Sequence, residues 1–405
     1  MSADRAARRN LALFPWYVAG IAAFAWMPIF FLYLTARVSL SEALALEALY
    51  YAAVVALELP SGYFSDRVGR RATLILAAAS LVGAYVVFAA SDGFWALALA
   101  QVALAAGLAF NSGTDTSFHL ASLEAASLGD QYGAREARLE SLSLGVGAAA
   151  ALIGGGLGLF DLRLAYAASA LAALVALGAA LSFLAVDETA KASDSFGLTL
   201  RTCLDLARRD PRLGWLFALS VAATVINHVP YEFYQPYLDL LEGAALPSDL
   251  TPLIAGAHLA LVQIVAVPAA AFSQRLADRL GLVRHLLLSV GLQVGLVGLM
   301  ALFVHPVVAF VLLGRSIPRA LQSAPMRAAI APHVRPQMRA TYLSLQSLVG
   351  RLGFSALLLL LSLMASDDLS ALLQVGAVAS ATLLFALLAL AAKCAPRLDD
   401  IDGPG

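Results

Sequence analysis

Arg315, Arg319 and Arg351 stand inside long apolar stretches of the sequence, where a guanidinium group needs a carboxylate partner or an anionic ligand. Two chemistries answer that need. The arginines either recognise a solute bearing a carboxylate or phosphate, or pair internally with Glu58, Asp115 or Glu232. Glu58 and Asp115 are acids in apolar surroundings, and Glu232 follows His228 by one helical turn in the segment NHVPYEFYQPYLD. Such groups can take up and release protons, which makes Glu58, Asp115, His228 and Glu232 proton-coupling candidates. Pairing with nearby loop arginines is an equal reading for Glu58. For Asp115 the equal reading is pairing with Arg135, Arg138 or an arginine of the tenth apolar run.

The elements that position these groups follow from composition. The chain has 405 residues, 61 % hydrophobic and 13 % charged, against roughly 45–50 % and about 25 % in soluble domains. It reads as an all-α integral membrane protein. Twelve apolar runs are long enough to cross a bilayer core of roughly 30 Å. They cover about 11–36, 44–65, 72–91, 94–120, 138–160, 162–186, 213–238, 251–276, 283–304, 306–329, 339–364 and 369–393. Pro268, Pro318 and Pro325 imply kinks in two of them. The first run is read as a retained helix, not a signal peptide.

Charge sidedness orients the spans. With the N-terminus inside, only Arg37 and Arg163 of the 26 Lys and Arg fall in outside connections, as the positive-inside rule requires. Both termini are then cytoplasmic. An internal repeat divides the chain: Asp66, Arg67 and Gly69 recur as Asp278, Arg279 and Gly281, each copy following the second span of a six-span half. The expected organisation is a six-helix bundle over 1–186, a cytoplasmic linker over 187–212, a second six-helix bundle over 213–394 and a tail over 395–405. Two pseudo-symmetric bundles of this kind are the build of a rocking secondary transporter.

The stretch GYFSDRVGRR, with Gly62, Asp66, Arg67, Gly69, Arg70 and Arg71, resembles the signature loop of the major facilitator superfamily. The resemblance implies that Asp66 faces the N-terminal end of the eleventh helix and holds the inward side shut, with Asp278, Arg279 and Gly281 as a degraded second gate. It also implies alternating-access transport of a small organic solute. The glycine-rich fifth span resembles the antiporter motif of drug exporters at Gly154 and Gly155, although Ala150 and Ala151 replace its Gly-Pro pair. Proton-coupled export is therefore the first expectation. Proton-coupled uptake, or facilitated transport, of an organic anion is the alternative. A non-transporting receptor or lipid-handling protein on the same scaffold is the reading from another class.

Further cavity candidates are Trp26, Asn111, Tyr231, Gln263 and Gln346, while Tyr234 and Tyr237 read as an interfacial aromatic belt. Two cysteines, Cys203 and Cys394, give no disulfide framework, and no His or Cys spacing suits a metal. No phosphate-cradling GxxxxGK[ST] loop is present. The expectation is a monomeric transporter without enzymatic activity, cofactor or nucleic-acid partner, driven by an ion gradient or by the substrate's own gradient. Two lysines against 24 arginines point to a GC-rich bacterium and its inner membrane.

Overall fold

The computed structural model describes residues 3–185, 196–241, 250–330, 332–334, 336–364 and 368–398, and every regular element among them is helical. Among the described residues, eleven helices, or helix pairs joined end to end, are long and apolar enough to cross a membrane. Packing groups residues 1–191 with 249–260 into one unit, and residues 192–248 with 261–405 into another.

In the first unit, α1 (Ala3–Ala22) is followed by a 3-10 turn at Met27–Ile29 and by α2 (Phe30–Thr35). Pro28, which lacks an N–H, sits in that turn, so the first span is broken rather than continuous. Next come α3 (Leu40–Val68), α4 (Arg70–Ala90), α5 (Phe94–Asn111) and α6 (Thr114–Ala125). Helix α3 begins with a capping box: Ser39 Oγ accepts from Glu42 N at 3.3 Å, and Ser39 N donates to Glu42 Oε2 at 2.9 Å. The unit continues through α7 (Tyr132–Gly158), α8 (Leu162–Ser182) and the start of α11 (Thr251–Leu280).

Small residues let these helices approach closely, which matters where lipid supplies no hydrophobic drive between them. A Cβ added at Gly20 would lie 2.6 Å from the Ala172 carbonyl oxygen, and one at Gly107 would lie 2.5 Å from Leu81. Gly155 of α7 and Gly256 of α11 pack face to face, each added Cβ coming within 3.2 Å of the other's Cα. That contact seats the first turns of α11 in this unit.

The second unit holds α9 (Phe196–Arg209), α10 (Pro211–Asp239), the rest of α11, α12 (Leu282–Leu302), α13 (Pro306–Val311), α14 (Ile317–Ile330), α15 (Pro336–Leu363) and α16 (Leu369–Leu398). Helix α10 is central, packing on α12, α15 and α16. Its contact with α15 is tight at Gly350, where an added Cβ would lie 2.6 Å from Thr224 Cβ.

The expected tenth span is not one helix. It is α13, a 3-10 turn at Leu312–Gly314 and α14, and it is absent from the eleven membrane-length segments. Pro318 explains the break, since its ring cannot donate to Gly314 and suits the first turn of a new helix. Arg315 and Arg319, four residues apart, therefore do not share one face as they would on a continuous helix: Arg315 lies at the break and is 3 % exposed, while Arg319 is exposed.

Candidate substrate-binding cavity

A cavity of about 410 Å³ opens within the second unit. From α10 it takes Ser220, Thr224, Asn227 and His228, spaced to fall on one helical face. From α14 come Arg319, Gln322, Ser323 and Arg327 at the same kind of spacing, from α15 Gln346, Ser347 and Arg351, and from α12 Gln293. Among the described lining residues, only Ala223, Met326 and Leu343 contribute apolar side chains. Polar faces turned into a bundle invert the pattern of a soluble helix.

Charge in this cavity has one sign. Arg319, Arg327 and Arg351 line it, and no carboxylate stands among its described lining residues. Arg327 Nε donates to the Ser323 carbonyl at 3.0 Å, which steadies that side chain along its own helix. Arg319 makes no ion pair among the described residues. His228 Nδ1 lies 2.7 Å from the Thr224 carbonyl oxygen. An acceptor there requires the proton on Nδ1 and leaves Nε2 as the nitrogen that takes or gives a proton. The ring also packs on Phe354, 5.0 Å between centroids, and edge-on to Tyr231 at 6.3 Å.

His228, Arg319, Gln346 and Arg351 thus meet in one place, while other candidates stand elsewhere. Arg315 is not among the cavity lining: its guanidinium lies 4.0 Å over the Tyr234 ring, a cation–π contact buried in the helix packing. Glu232 is fully buried and Tyr231 half-buried, both outside that lining. Tyr234 and Tyr237 do not form an exposed belt, because both are buried and the Tyr237 hydroxyl donates to the Phe303 carbonyl at 2.5 Å. Gln263, Gly62 and Asp66 have surroundings that lie outside the described residues.

In the first unit, Trp26 belongs to an aromatic core. It stacks on Tyr166 and donates from Nε1 to the Tyr85 hydroxyl at 3.1 Å. Among the described residues of this unit, Asp115 forms no ion pair with Arg135 or Arg138. Its carboxylate accepts from Asn111 Nδ2 at 3.2 Å and from the Thr116 backbone N–H at 2.7 Å, and Asn111 in turn accepts from the Tyr17 hydroxyl at 2.7 Å. The left-handed Gly113 (φ 74°) separates α5 from α6 and sets Asn111 and Asp115 on either side of a helix break. One turn on, His119 Nδ1 contacts Glu136 Oε1 at 2.5 Å. Glu58 is half-buried near the end of α3.

The signature loop shows its mechanics at its end. Gly69 takes φ 101° between α3 and α4. Arg71 does not seek an acid: it donates to the carbonyls of Phe183 (2.7 Å) and Leu181 (2.9 Å), closing the C-terminus of α8 where a cation offsets the helix dipole. Arg67 is exposed and Arg70 half-buried. In the second copy Gly281 has φ 79°, and the exposed Asp278 accepts from Gln274 Nε2 at 2.9 Å, with Arg279 exposed beside it.

Comparison with known proteins agrees on the architecture. The structure is similar to the nucleoside transporter NupG (TM-score 0.76, 13 % identity, covering 95 % of this chain and 98 % of that one). It is also similar to a point mutant of the peptide transporter POT (TM-score 0.71, 13 % identity, 99 % of each chain). A D-xylose-proton symporter gives TM-score 0.65 at 15 % identity, covering 95 % of this chain and 96 % of that one. No curated protein sequence matches the chain significantly. The sequence model described as Major Facilitator Superfamily matches residues 11–358. Eleven membrane-length helical segments among the described residues, a repeated loop with two positive-φ glycines and this sequence match place the chain in the major facilitator superfamily, as a multi-pass membrane transporter.

Proposed function

We propose that the chain carries a small organic anion across a bacterial inner membrane by alternating access, as a monomer and in symport with protons. The observation that carries this reading is the cavity lined by Arg319, Arg327 and Arg351 without a described carboxylate. Guanidinium groups fit carboxylate and phosphate in a planar, forked geometry. His228 lines the same cavity, so a proton held there and an anion held by the arginines attract one another. Linkage makes that attraction reciprocal, each ligand raising the affinity for the other, which is the thermodynamic condition for symport. The structurally similar proteins include a D-xylose-proton symporter.

Export by proton antiport is the second reading, and the glycine-rich α7 favours it. An added Cβ at Gly154 would collide with the Ala25 carbonyl oxygen, so close approach of backbone is built into this helix. Proteoliposomes loaded with a pH-sensitive dye separate the readings. Gluconate or glucose 6-phosphate added outside should acidify the lumen, with the response lost in Arg319→Gln and His228→Gln. Luminal alkalinisation by the same acids would establish antiport. A response to tetraphenylphosphonium and to neither acid would overturn the anion reading.

A further inference from the structure

Beside the arginines, the cavity contains amides whose polar atoms the protein leaves unpaired. Gln322 Nε2 and Gln346 Nε2 have no hydrogen-bond partner among the described residues, and neither has Gln293 Oε1. These side chains belong to residues only 5 %, 2 % and 1 % exposed, on three different helices that converge on one space. Their neighbours are already engaged. Tyr342, one turn from Gln346, gives its hydroxyl proton to the Leu213 carbonyl at 3.0 Å and keeps only its oxygen for the Gln346 side chain, and Asn227 Oδ1 accepts from Gln293 Nε2 at 3.3 Å. Buried amide atoms are normally paired, and a group left unpaired is costly.

We infer that the transported solute is a hydrophilic acid whose uncharged part bears hydroxyl groups, held by Gln293, Gln322 and Gln346 while the arginines hold its acidic group. The inference rests on the anion reading proposed above and narrows it. Two amide donors and one amide acceptor call for groups that both accept and donate, which hydroxyls do and hydrocarbon does not. A lipophilic acid would leave all three amides unpaired and, among the described lining residues, would meet only Ala223, Met326 and Leu343 as apolar wall. The cavity volume of about 410 Å³ lies toward the small end of ligand sites, roughly 300–1,000 Å³. That suits a polyhydroxylated acid of monosaccharide size.

Affinities of the purified full-length protein for gluconate, glucose 6-phosphate, hexanoate and glucose test this directly. Gluconate or glucose 6-phosphate should bind at least roughly tenfold more tightly than hexanoate, since a site built for hydrogen bonds rejects the analogue lacking them. Which of the two binds better tells carboxylate from phosphate. The near-isosteric Gln322→Met and Gln346→Met should weaken the hydroxylated acid roughly tenfold and hexanoate less than twofold; retained hexanoate binding certifies the fold. Arg319→Gln should weaken every acid alike. Equal binding of hexanoate and the hydroxylated acids would overturn the amide subsite and leave the anion reading standing. Glucose binding as tightly as gluconate, untouched by Arg319→Gln, would overturn the anion reading and keep the amides. Failure of both hydroxylated acids to bind would overturn the inference.

Discussion

Gly69 and Gly281, 212 residues apart, adopt the same unusual backbone: φ 101°, ψ 145° in one and φ 79°, ψ 142° in the other. Each is the single residue between two long helices. Positive φ with extended ψ is a region open in practice to glycine alone. The repeat read from the letters is thus a repeat of conformation. Because an added Cβ at Gly69 would meet nothing within 4 Å, any cost of substitution there is backbone strain rather than collision. Gly69→Ala should destabilise by about 1–3 kcal/mol. Gly69→Asn should do no better, since asparagine tolerates the left-handed helical region and not this one. Thermal melting in detergent checks both; a neutral Gly69→Asn would show that the loop relaxes.

Close helix approach makes a second prediction. Gly155→Ala and Gly256→Ala insert a methyl against backbone 2.6 and 2.5 Å away, so each should cost about 1–3 kcal/mol. Gly156→Ala enters open space and should be neutral or stabilising by up to about 1 kcal/mol. Melting curves of the three variants should separate cleanly by neighbour, although the glycines are adjacent or one contact apart.

Arg315 and Arg319 should part company when mutated. Arg315 is buried over Tyr234, so Arg315→Gln should lower the melting temperature and the yield of folded protein. Arg319→Gln should leave melting unchanged within about 0.5 kcal/mol, as for an exposed surface position, and weaken solute binding. Reversed effects would exchange their roles.

An ion-pair staple gives a pH prediction. Asp92 pairs with Arg163 and, at 3.1 Å, with Arg37. The hydrogen bond from Arg163 holds the Asp92 carboxyl below its usual range. A depressed folded value means a contribution fully present above the unfolded value of about 3.9 and lost as pH falls through the folded one. The melting difference between the protein and Asp92→Asn should therefore be constant from pH 5 to 8 and shrink only in strong acid. Transport that changes with pH across that range must draw on other groups.

Much of the architecture was legible in the letters because membrane burial writes itself into long apolar runs. The broken tenth span was less so. Pro318 was visible, but whether a proline kinks a helix or splits it depends on neighbours that re-satisfy the freed carbonyls. Arg315 misled for the same reason, since the break at Leu312–Gly314 turns it onto Tyr234 and away from the cavity. Of the cavity, His228, Arg319, Gln346 and Arg351 were found by type. Gln293, Gln322 and Asn227 were missed, because a lone amide in a membrane helix usually serves helix contacts. The signal that would have found them is periodic: Ser220, Thr224, Asn227 and His228, then Arg319, Gln322, Ser323 and Arg327, repeat at three and four residues as polar stripes.

The central claim, a cation-lined cavity made for an anion, has a test that needs no knowledge of the solute. In a background lacking Cys203 and Cys394, Ser347→Cys places one thiol on the cavity wall. Its modification rate is measured with the anionic sulfonatoethyl and the cationic trimethylammonium-ethyl methanethiosulfonates. The account predicts the anionic reagent reacting about tenfold or more faster, as a cleft of one sign concentrates counter-ions, with the gap narrowing in Arg319→Gln. Faster reaction of the cationic reagent would contradict it.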